Sequence, residues 1–226
     1  MLIPDRSPSG RIDVLANGPY QVGGGLPLLR ALIISDARGD PVSWIVGEPY
    51  LASKTYRLCR CGHSRMWPIC DATHGSVGFD GGETDSRVPY IERAEVIDGP
   101  ALRLTDVRIL CSNAGFCTRE GGTWRLTSQS ADPHARRLAI EQAGNCPSGR
   151  LVAWETNGEV IEPVLSPSVC VIQNPRIGIR GPLWVRGRIA VYSAAGVRYE
   201  KRNRLTLCGC GLSHNKPFCD GKHQDH

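Results

Sequence analysis

Long hydrophobic segments are missing from this sequence. It contains no run of about 18 apolar residues that could cross a bilayer, and residues 1–18 include no apolar stretch of signal-peptide length. We therefore expect a protein without a membrane-spanning helix that remains in the cytoplasm, where it is made.

Aromatic residues and concentrated charge are also scarce. Aromatic residues make up 6% of the chain, and the formal net charge of +5 arises from 27 Lys and Arg against 22 Asp and Glu. Because the basic residues are scattered and have no aromatic residues interleaved, nothing indicates a nucleic-acid partner. The 26 Gly and 16 Pro favour turns over long helices, so we expect a β-rich α+β fold.

Recognisable catalytic motifs are absent too. No Gly-rich loop follows a predicted strand to bind a phosphate, and no arrangement of nucleophile, base and oxyanion donors is legible. We therefore do not expect an enzyme.

Cysteine is the residue that stands out in this chain. A reducing cytosol disfavours disulfides, so closely spaced cysteines there are more often metal ligands or redox groups. The ten cysteines form two sets that end in a histidine, a third set of three and one single residue: Cys59, Cys61, Cys70 with His74; Cys208, Cys210, Cys219 with His223; Cys111, Cys117, Cys146; and Cys170. The single residue lies in an apolar run and is predicted to be a buried strand thiol.

The two sets that end in histidine share the spacing C-x-C-x8-C-x3-H. Residues 58–74 read LCRCGHSRMWPICDATH, and residues 207–223 read LCGCGLSHNKPFCDGKH. Two cysteines that are two residues apart project to the same side of an extended chain, and a Cys and a His four residues apart share one face of a helix. We therefore expect three thiolates and one imidazole to converge on one point in each stretch.

Other residues of each stretch are predicted to support the ligands. A glycine after the second cysteine lets the backbone turn closely, a serine can hydrogen-bond to the site, and a proline precedes the third cysteine. An aspartate after that cysteine can cap a helix N-terminus. These residues are Gly62, Ser64, Pro68 and Asp71 in the first stretch, and Gly211, Ser213, Pro217 and Asp220 in the second.

Two kinds of metal site fit these ligands. Structural zinc accepts three Cys and one His, but its ligands usually come from C-x2-4-C knuckles, and a C-x-C pair is awkward for two corners of one tetrahedron. A two-iron cluster has two metal centres, and each can take one pair of ligands. The chemistry therefore favours iron-sulfur, and zinc remains the alternative.

Both stretches resemble the CDGSH iron-sulfur domain of mitoNEET-like proteins, whose motif is C-x-C-x2-[ST]-x3-P-x-C-D-G-[SAT]-H. The departures are Ala72 in place of the glycine in the first stretch and Lys222 in place of the small residue in the second. Neither change removes a ligand. The resemblance implies one [2Fe-2S] cluster in each stretch, held by its three cysteines and its histidine.

The similarity of the two halves extends upstream of the cysteines. Residues 47–50 (GEPY) align with residues 196–199 (GVRY), and PLLRALII from Pro27 resembles PLWVRGRI from Pro182, so each copy is predicted to be a β-hairpin that leads into a cluster loop. MitoNEET-type proteins are homodimers that share strands in a β-cap, so the resemblance implies an intramolecular pseudo-dimer. We place the first copy at residues 1–105 with its cluster loop at 58–76, an α/β insert at 106–158, and the second copy at 159–226 with its cluster loop at 207–224.

The insert contains a helix signal. Asp132 is the predicted N-cap, Pro133 takes the first helical position, and Gly144 marks the end.

The insert also contains the third set of cysteines. Cys111, Ala114 and Cys117 keep the C-x2-C-x2-C spacing of a ferredoxin, with Cys146 and Pro147 as the distant member, so this segment resembles a divergent ferredoxin-like module. Three cysteines could hold a three-iron cluster, or a four-iron cluster with an outside ligand. Because alanine cannot bind iron, we favour a module that has kept its fold and lost its cluster.

The single histidine in each site directs the expected function. Replacing one thiolate by a neutral imidazole makes a cluster less negative and raises its reduction potential, and a protonated imidazole can no longer bind iron. We therefore expect one-electron transfer, storage and transfer of an acid-labile cluster, or both. The expected partner is a redox protein or an apo-protein that accepts a cluster, and the chain is expected to be a monomer.

Overall fold

The computed structural model describes residues 10–176 and 178–225. Within these residues the chain forms two α-helices and 13 strands, joined in places by turns of 3-10 helix. In chain order the elements are β1 (Arg11–Val14), β2 (Tyr20–Gly23), β3 (Leu28–Ser35), β4 (Pro41–Pro49), β5 (Tyr56–Leu58), β6 (Glu95–Asp98), β7 (Arg103–Asp106), α1 (Thr123–Ser128), α2 (Pro133–Asn145), β8 (Leu151–Trp154), β9 (Val160–Ile161), β10 (Ser168–Asn174), β11 (Ile179–Arg186), β12 (Ala190–Tyr192) and β13 (Arg204–Leu207).

The first sheet, with strand order β12-β1-β2-β5, combines strands from both halves of the chain. β1 and β2 form an antiparallel hairpin, and β2 pairs with β5 so that Tyr20 lies opposite Leu58. β12 joins the free edge of β1 in parallel, with Val191 opposite Ile12. A strand of the C-terminal half thus completes the sheet that leads into the first cysteine stretch.

The second sheet has the order β13-β11-β10-β3-β4 and is built in the same way. β10 and β11 form an antiparallel hairpin, and β11 pairs with β13 so that Leu183 lies opposite Leu207. β3 of the N-terminal half joins β10 in parallel, with Leu28 opposite Val169. The two sheets therefore exchange one strand each, and β4 extends only the second.

The strand registers correct the predicted alignment of the two halves. Tyr20 faces the strand before the first cysteines as Leu183 faces the strand before the second, so the segment at Pro19 corresponds to the segment at Pro182. The prediction that matched Pro27 with Pro182 is wrong. That prediction relied on local sequence similarity, whereas the strand that follows Pro27 pairs with a strand of the other half.

The predicted match of GEPY with GVRY agrees with the backbone contacts. The amide of Tyr50 donates to the carbonyl of Leu28, and the amide of Tyr199 donates to the carbonyl of Val191, both at 2.9 Å. Leu28 and Val191 occupy corresponding positions on the two exchanged strands.

One hydrophobic core serves both sheets. It contains fully buried residues of the first sheet and of the second, among them Ile12, Tyr20, Leu58, Val169, Leu183 and Leu207. Each such side chain contributes about 1.5–3 kcal/mol when it is fully buried. Because this apolar surface is shared, the two halves cover each other. Cys170 lies fully buried in a smaller core on β10, as predicted.

The third sheet, with order β6-β7-β8-β9, packs against α1 and α2 in a core of its own. α2 begins as predicted, with the Asp132 carboxylate accepting the amide of His134 at 3.0 Å and Pro133 in the first position. It ends at Asn145, one residue after the predicted stop at Gly144. Neither α-helix in the described ranges has the length and apolar character needed to cross a bilayer. The domain limits 1–105, 106–158 and 159–226 stay predictions; β7 crosses the first of these limits, and it pairs with β6 on one side and with β8 on the other.

Candidate metal centres

Each cysteine stretch closes into a loop through backbone hydrogen bonds. The amide of the first cysteine donates to the carbonyl of the proline, and the amide of the third cysteine donates to a carbonyl of the incoming strand. The four bonds are Cys59–Pro68 (2.8 Å) and Cys70–Arg57 (2.9 Å) in the first loop, and Cys208–Pro217 (2.8 Å) and Cys219–Thr206 (2.9 Å) in the second.

The predicted supporting residues of the first loop hold its backbone. The hydroxyl of Ser64 donates to the carbonyl of Ile69 at 2.5 Å. The hydroxyl of Thr73 (2.7 Å) and the amides of Arg65 and Thr73 (3.0 and 3.1 Å) donate to Asp71. These donors favour the charged carboxylate and hold the pKa of Asp71 well below its usual range.

The second loop repeats these contacts. The hydroxyl of Ser213 donates to the carbonyl of Phe218 at 2.7 Å, and Asp220 accepts from the amides of His214 (2.9 Å) and Lys222 (3.2 Å). Corresponding side chains thus fix both loops in the same conformation.

The helix expected across the third cysteine and the histidine does not form. The first loop contains a single 3-10 turn at Thr73–Gly75, and the second contains one at Lys222–Asp225. The residue after each aspartate, Ala72 or Gly221, has a positive φ of 68° or 92°, and a left-handed residue interrupts a right-handed helix. Each aspartate still accepts the first amide of its turn, Asp71 from Thr73 and Asp220 from Lys222, although Ala72 occupies the N-cap position of the first turn.

The predicted ligands lie in close pairs. The Sγ atoms of Cys59 and Cys61 are 3.8 Å apart, and those of Cys208 and Cys210 are 3.7 Å apart. The histidine Nδ1 lies 3.5 Å from the sulfur of the third cysteine in the first loop and 3.4 Å in the second. Two thiolates at about 2.3 Å from one metal lie about 3.8 Å apart in a tetrahedron, and a thiolate and an imidazole nitrogen lie about 3.5 Å apart. Each pair therefore has the spacing of two ligands of one metal atom.

The four predicted ligands of a loop, all of them described residues, do not form a site for a single metal ion. Among the described residues, no group of three or more Cys, His, Asp or Glu side chains is arranged to hold a single metal ion. Each loop thus presents its predicted ligands as two close pairs, one at its start and one at its end, and the convergence of all four on one cluster stays a prediction.

Burial disfavours the thiolate form of the cysteine ligands, and a nearby cation would stabilise that form. Desolvation raises the pKa of Cys59 to about 11 and that of Cys219 well above its ordinary value. In the second loop, the hydrogen bond between the sulfurs of Cys208 and Cys210 lowers the pKa of Cys208 and raises that of Cys210. The first proton therefore leaves this pair more easily than the second, and a bound cation favours the loss of both.

The two loops touch at their second cysteines. Cys61 and Cys210 form an isolated antiparallel bridge, and each is followed by a glycine at positive φ. A Cβ on Gly62 would lie 2.5 Å from the carbonyl oxygen of Cys210, and a Cβ on Gly211 would lie 2.7 Å from that of Cys61. Sequence reasoning assigned these glycines to a close turn, and the structure adds that each admits the backbone of the other loop.

The three cysteines of the insert, which we call the middle segment (residues 106–158), lie near one another. Burial, together with the charges of Cys146 and Cys111, raises the pKa of Cys117 to about 11. Cys111 also acts on the pKa of Cys219 in the second loop. Ala114, which has no donor atom to complete this set, lines a small cavity together with His223.

Arg60, between the first two cysteines, is a residue that sequence reasoning missed. Its side chain is 1% exposed, and its guanidinium donates to the carbonyls of Gly81 (2.6 Å) and Leu15 (3.3 Å). In the part of the chain that the structure describes, no carboxylate forms an ion pair with it. The guanidinium also lies over the rings of Tyr20 and Phe79, 5.5 and 5.7 Å from their centroids, so carbonyls and aromatic faces stabilise this buried cation. An arginine beside cysteines gives no signal of its burial in the sequence.

Three segments of the chain match known family models. Residues 17–75 and 180–224 match the model described as the iron-binding zinc finger of CDGSH type. Residues 97–156, between them, match the model of a divergent 4Fe-4S mono-cluster. No curated protein and no solved structure gives a significant match to the chain.

Proposed function

The chain belongs to the CDGSH iron-sulfur family as a member with two CDGSH segments on either side of a divergent ferredoxin-like segment, and on that premise we propose that each of its two loops holds a [2Fe-2S] cluster. The proposed ligands are Cys59, Cys61, Cys70 and His74 in the first loop, and Cys208, Cys210, Cys219 and His223 in the second. The protein would act in one-electron transfer, in storage and transfer of clusters, or in both. We propose a carrier without enzymatic activity whose partners are a redox protein or an apo-protein acceptor.

The separation of the ligands into two pairs is the observation that carries this proposal. A single zinc ion needs four donors around one point, whereas each pair here has the spacing for one metal atom and no third donor joins it among the described residues. A bound [2Fe-2S] cluster supplies two metal atoms and exchanges one electron at a time.

The backbone around the sulfurs also suits a negative centre. The amide of Ala72 points at the sulfur of Cys70 (3.4 Å), and the amide of Gly221 points at that of Cys219 (3.3 Å). Donors to a sulfur stabilise its thiolate form, and hydrogen bonds to cluster sulfurs raise the reduction potential.

We further propose that the two halves form an intramolecular pseudo-dimer. The exchange of one strand between the sheets, the shared core and the reciprocal contact of Gly62 and Gly211 support it. Two copies within one chain stay associated at any protein concentration, so we expect a monomer in solution.

Iron and sulfide analysis of the purified protein tests the proposed clusters. We expect about four irons and four sulfides per chain, and about six to eight irons if Cys111, Cys117 and Cys146 also hold a cluster. A colourless protein that contains zinc would instead support a structural adaptor and would end the iron-sulfur proposal.

Transfer to an acceptor separates the two carrier functions. Holoprotein is incubated with an apo-ferredoxin, the two proteins are separated, and the iron in each is measured. Iron that moves to the ferredoxin supports cluster transfer, whereas iron that stays while the protein passes electrons to a redox partner supports electron transfer.

Replacing the histidine ligands by cysteine should slow the loss of colour in acid. A protonated imidazole leaves the metal, and a thiolate bound to iron is harder to protonate, so His74→Cys and His223→Cys should each retain one cluster for longer. The measurement is the decay of visible absorbance after a jump to acidic pH. His63→Gln, at an exposed residue of the first loop, is the control and should decay as the unmodified protein does. Unchanged decay in both cysteine variants would remove the histidines from the proposed sites.

A further inference from the structure

The two candidate sites differ in how far the Cys–His pair is covered. In the first loop Cys70 and His74 are both partly exposed, whereas in the second Cys219 is 2% exposed and His223 8% exposed. The C-x-C pairs do not follow this trend, because Cys61 is buried and Cys210 is partly exposed. The difference is therefore confined to the Cys–His end of each site.

The residues that cover this end of the second site are residues 111–114 of the middle segment (106–158). We call residues 111–114 the cover. The side-chain amide of Gln224 donates to the carbonyl of Asn113 at 2.8 Å. Gly221 packs so closely against the cover that a Cβ there would lie 2.4 Å from Nδ2 of Asn113 and 3.1 Å from the carbonyl oxygen of Cys111. Ser112, Asn113 and Ala114 line a small cavity together with His223.

Within the described ranges the first loop has no cover of this kind, although the β1–β2 turn approaches its histidine: a Cβ on Gly18 would lie 3.8 Å from Nε2 of His74. Ala72 corresponds to Gly221 and is exposed, as are the residues that follow His74, from Gly75 to Gly78. A Cβ on Gly75 would meet nothing within 4 Å. Two sites with the same ligands therefore offer an incoming molecule different access to the Cys–His pair.

We propose that the middle segment gives the two sites different functions. The cover retains the second cluster, whereas the first site exchanges its iron or its cluster with acceptors. This inference rests on the proposed function, because it assumes that both loops carry clusters. Exchange here is ligand replacement without a change of oxidation state. Donor atoms of the acceptor replace first the Cys70 thiolate and the His74 imidazole and then the thiolates of Cys59 and Cys61, and the four released groups take up the protons that the acceptor's thiols lose.

The test is the loss of visible absorbance when holoprotein is mixed with excess EDTA. Two phases of similar amplitude are expected, with rates that differ by about tenfold or more, the ratio that about 1.4 kcal/mol of extra opening free energy produces. The variant C70S/H74A, altered only at the partly exposed end of the first site, should show the slow phase alone. One common rate, or a fast phase that persists in C70S/H74A, would overturn the inference.

Variants that remove contacts of the cover test whether it retains the second cluster. In the C70S/H74A background, Asn113→Gly keeps the positive φ of 53° and removes the amide that packs on Gly221, while Gln224→Ala removes the hydrogen bond to the cover. Each change should speed the slow phase about threefold to tenfold, as expected for one lost contact of this kind. Glu120→Gly, at another positive φ of the same segment, is the matched control and should leave the rate unchanged. A slow phase that none of these variants alters would show that the middle segment does not retain the cluster, whereas protein that contains no iron would contradict the proposed function itself.

Discussion

Replacing Gly62 or Gly211 by alanine should lower the free energy of unfolding by about 3 kcal/mol or more and leave the protein with little iron. The new Cβ would lie 2.5–2.7 Å from a carbonyl oxygen of the other loop, which is backbone and cannot move alone. Because that carbonyl belongs to Cys210 or Cys61, relieving the clash would shift a proposed ligand. Urea denaturation and iron analysis of the two variants measure both effects.

Gly25→Ala is the matched control for this prediction. Gly25 also has a positive φ, 69°, but a Cβ there would meet nothing within 4 Å. Gly25→Ala should therefore lower the free energy of unfolding by only about 1 kcal/mol, because of backbone strain, and should leave the iron content unchanged. If Gly62→Ala and Gly25→Ala proved equally mild, the two loops would not be in close contact.

Features encoded over a few residues could be predicted from the sequence. The C-x-C spacing correctly indicated that two sulfurs project to the same side, and the Asp132-Pro133 signal correctly placed the start of α2. Both depend on backbone geometry within one turn or one strand, so neighbouring residues suffice to predict them. The predicted helix across the third cysteine and the histidine is absent for an equally local reason. Ala72 has a positive φ, which is an unusual conformation for alanine.

Features that depend on contacts distant in the sequence were not predictable in the same way. The exchange of β3 and β12 between the sheets misled the alignment at Pro27, since similarity along the chain does not show which strand a segment will join. Likewise, nothing around Asn113 indicates that it lies over Gly221, about a hundred residues later. Such pairings follow from the packing of the whole chain, in which the two halves share one core.

Arg204→Met should destabilise the protein by about 3–5 kcal/mol, because it removes a buried charge from a network that joins β13 to the middle segment. The Arg204 side chain is 1% exposed; its Nε donates to the carbonyl of Cys146 at 2.8 Å, and its Nη2 donates to those of Ala143 and Leu151 at 2.9 Å. The substitution would leave three acceptors without this donor and Glu162 without its ionic partner. The measurement is the free energy of unfolding from urea denaturation.

The same substitution at an exposed arginine separates the network from the loss of charge alone. Arg103 pairs with Asp98 on β6 and β7, where the two side chains are 44% and 64% exposed, so Arg103→Met should cost less than about 1 kcal/mol. Because Arg204 holds the carbonyl of Cys146, its loss should also loosen the middle segment and, through the cover, speed the slow phase of iron loss to EDTA. Equal destabilisation by Arg204→Met and Arg103→Met would contradict the role given to this network.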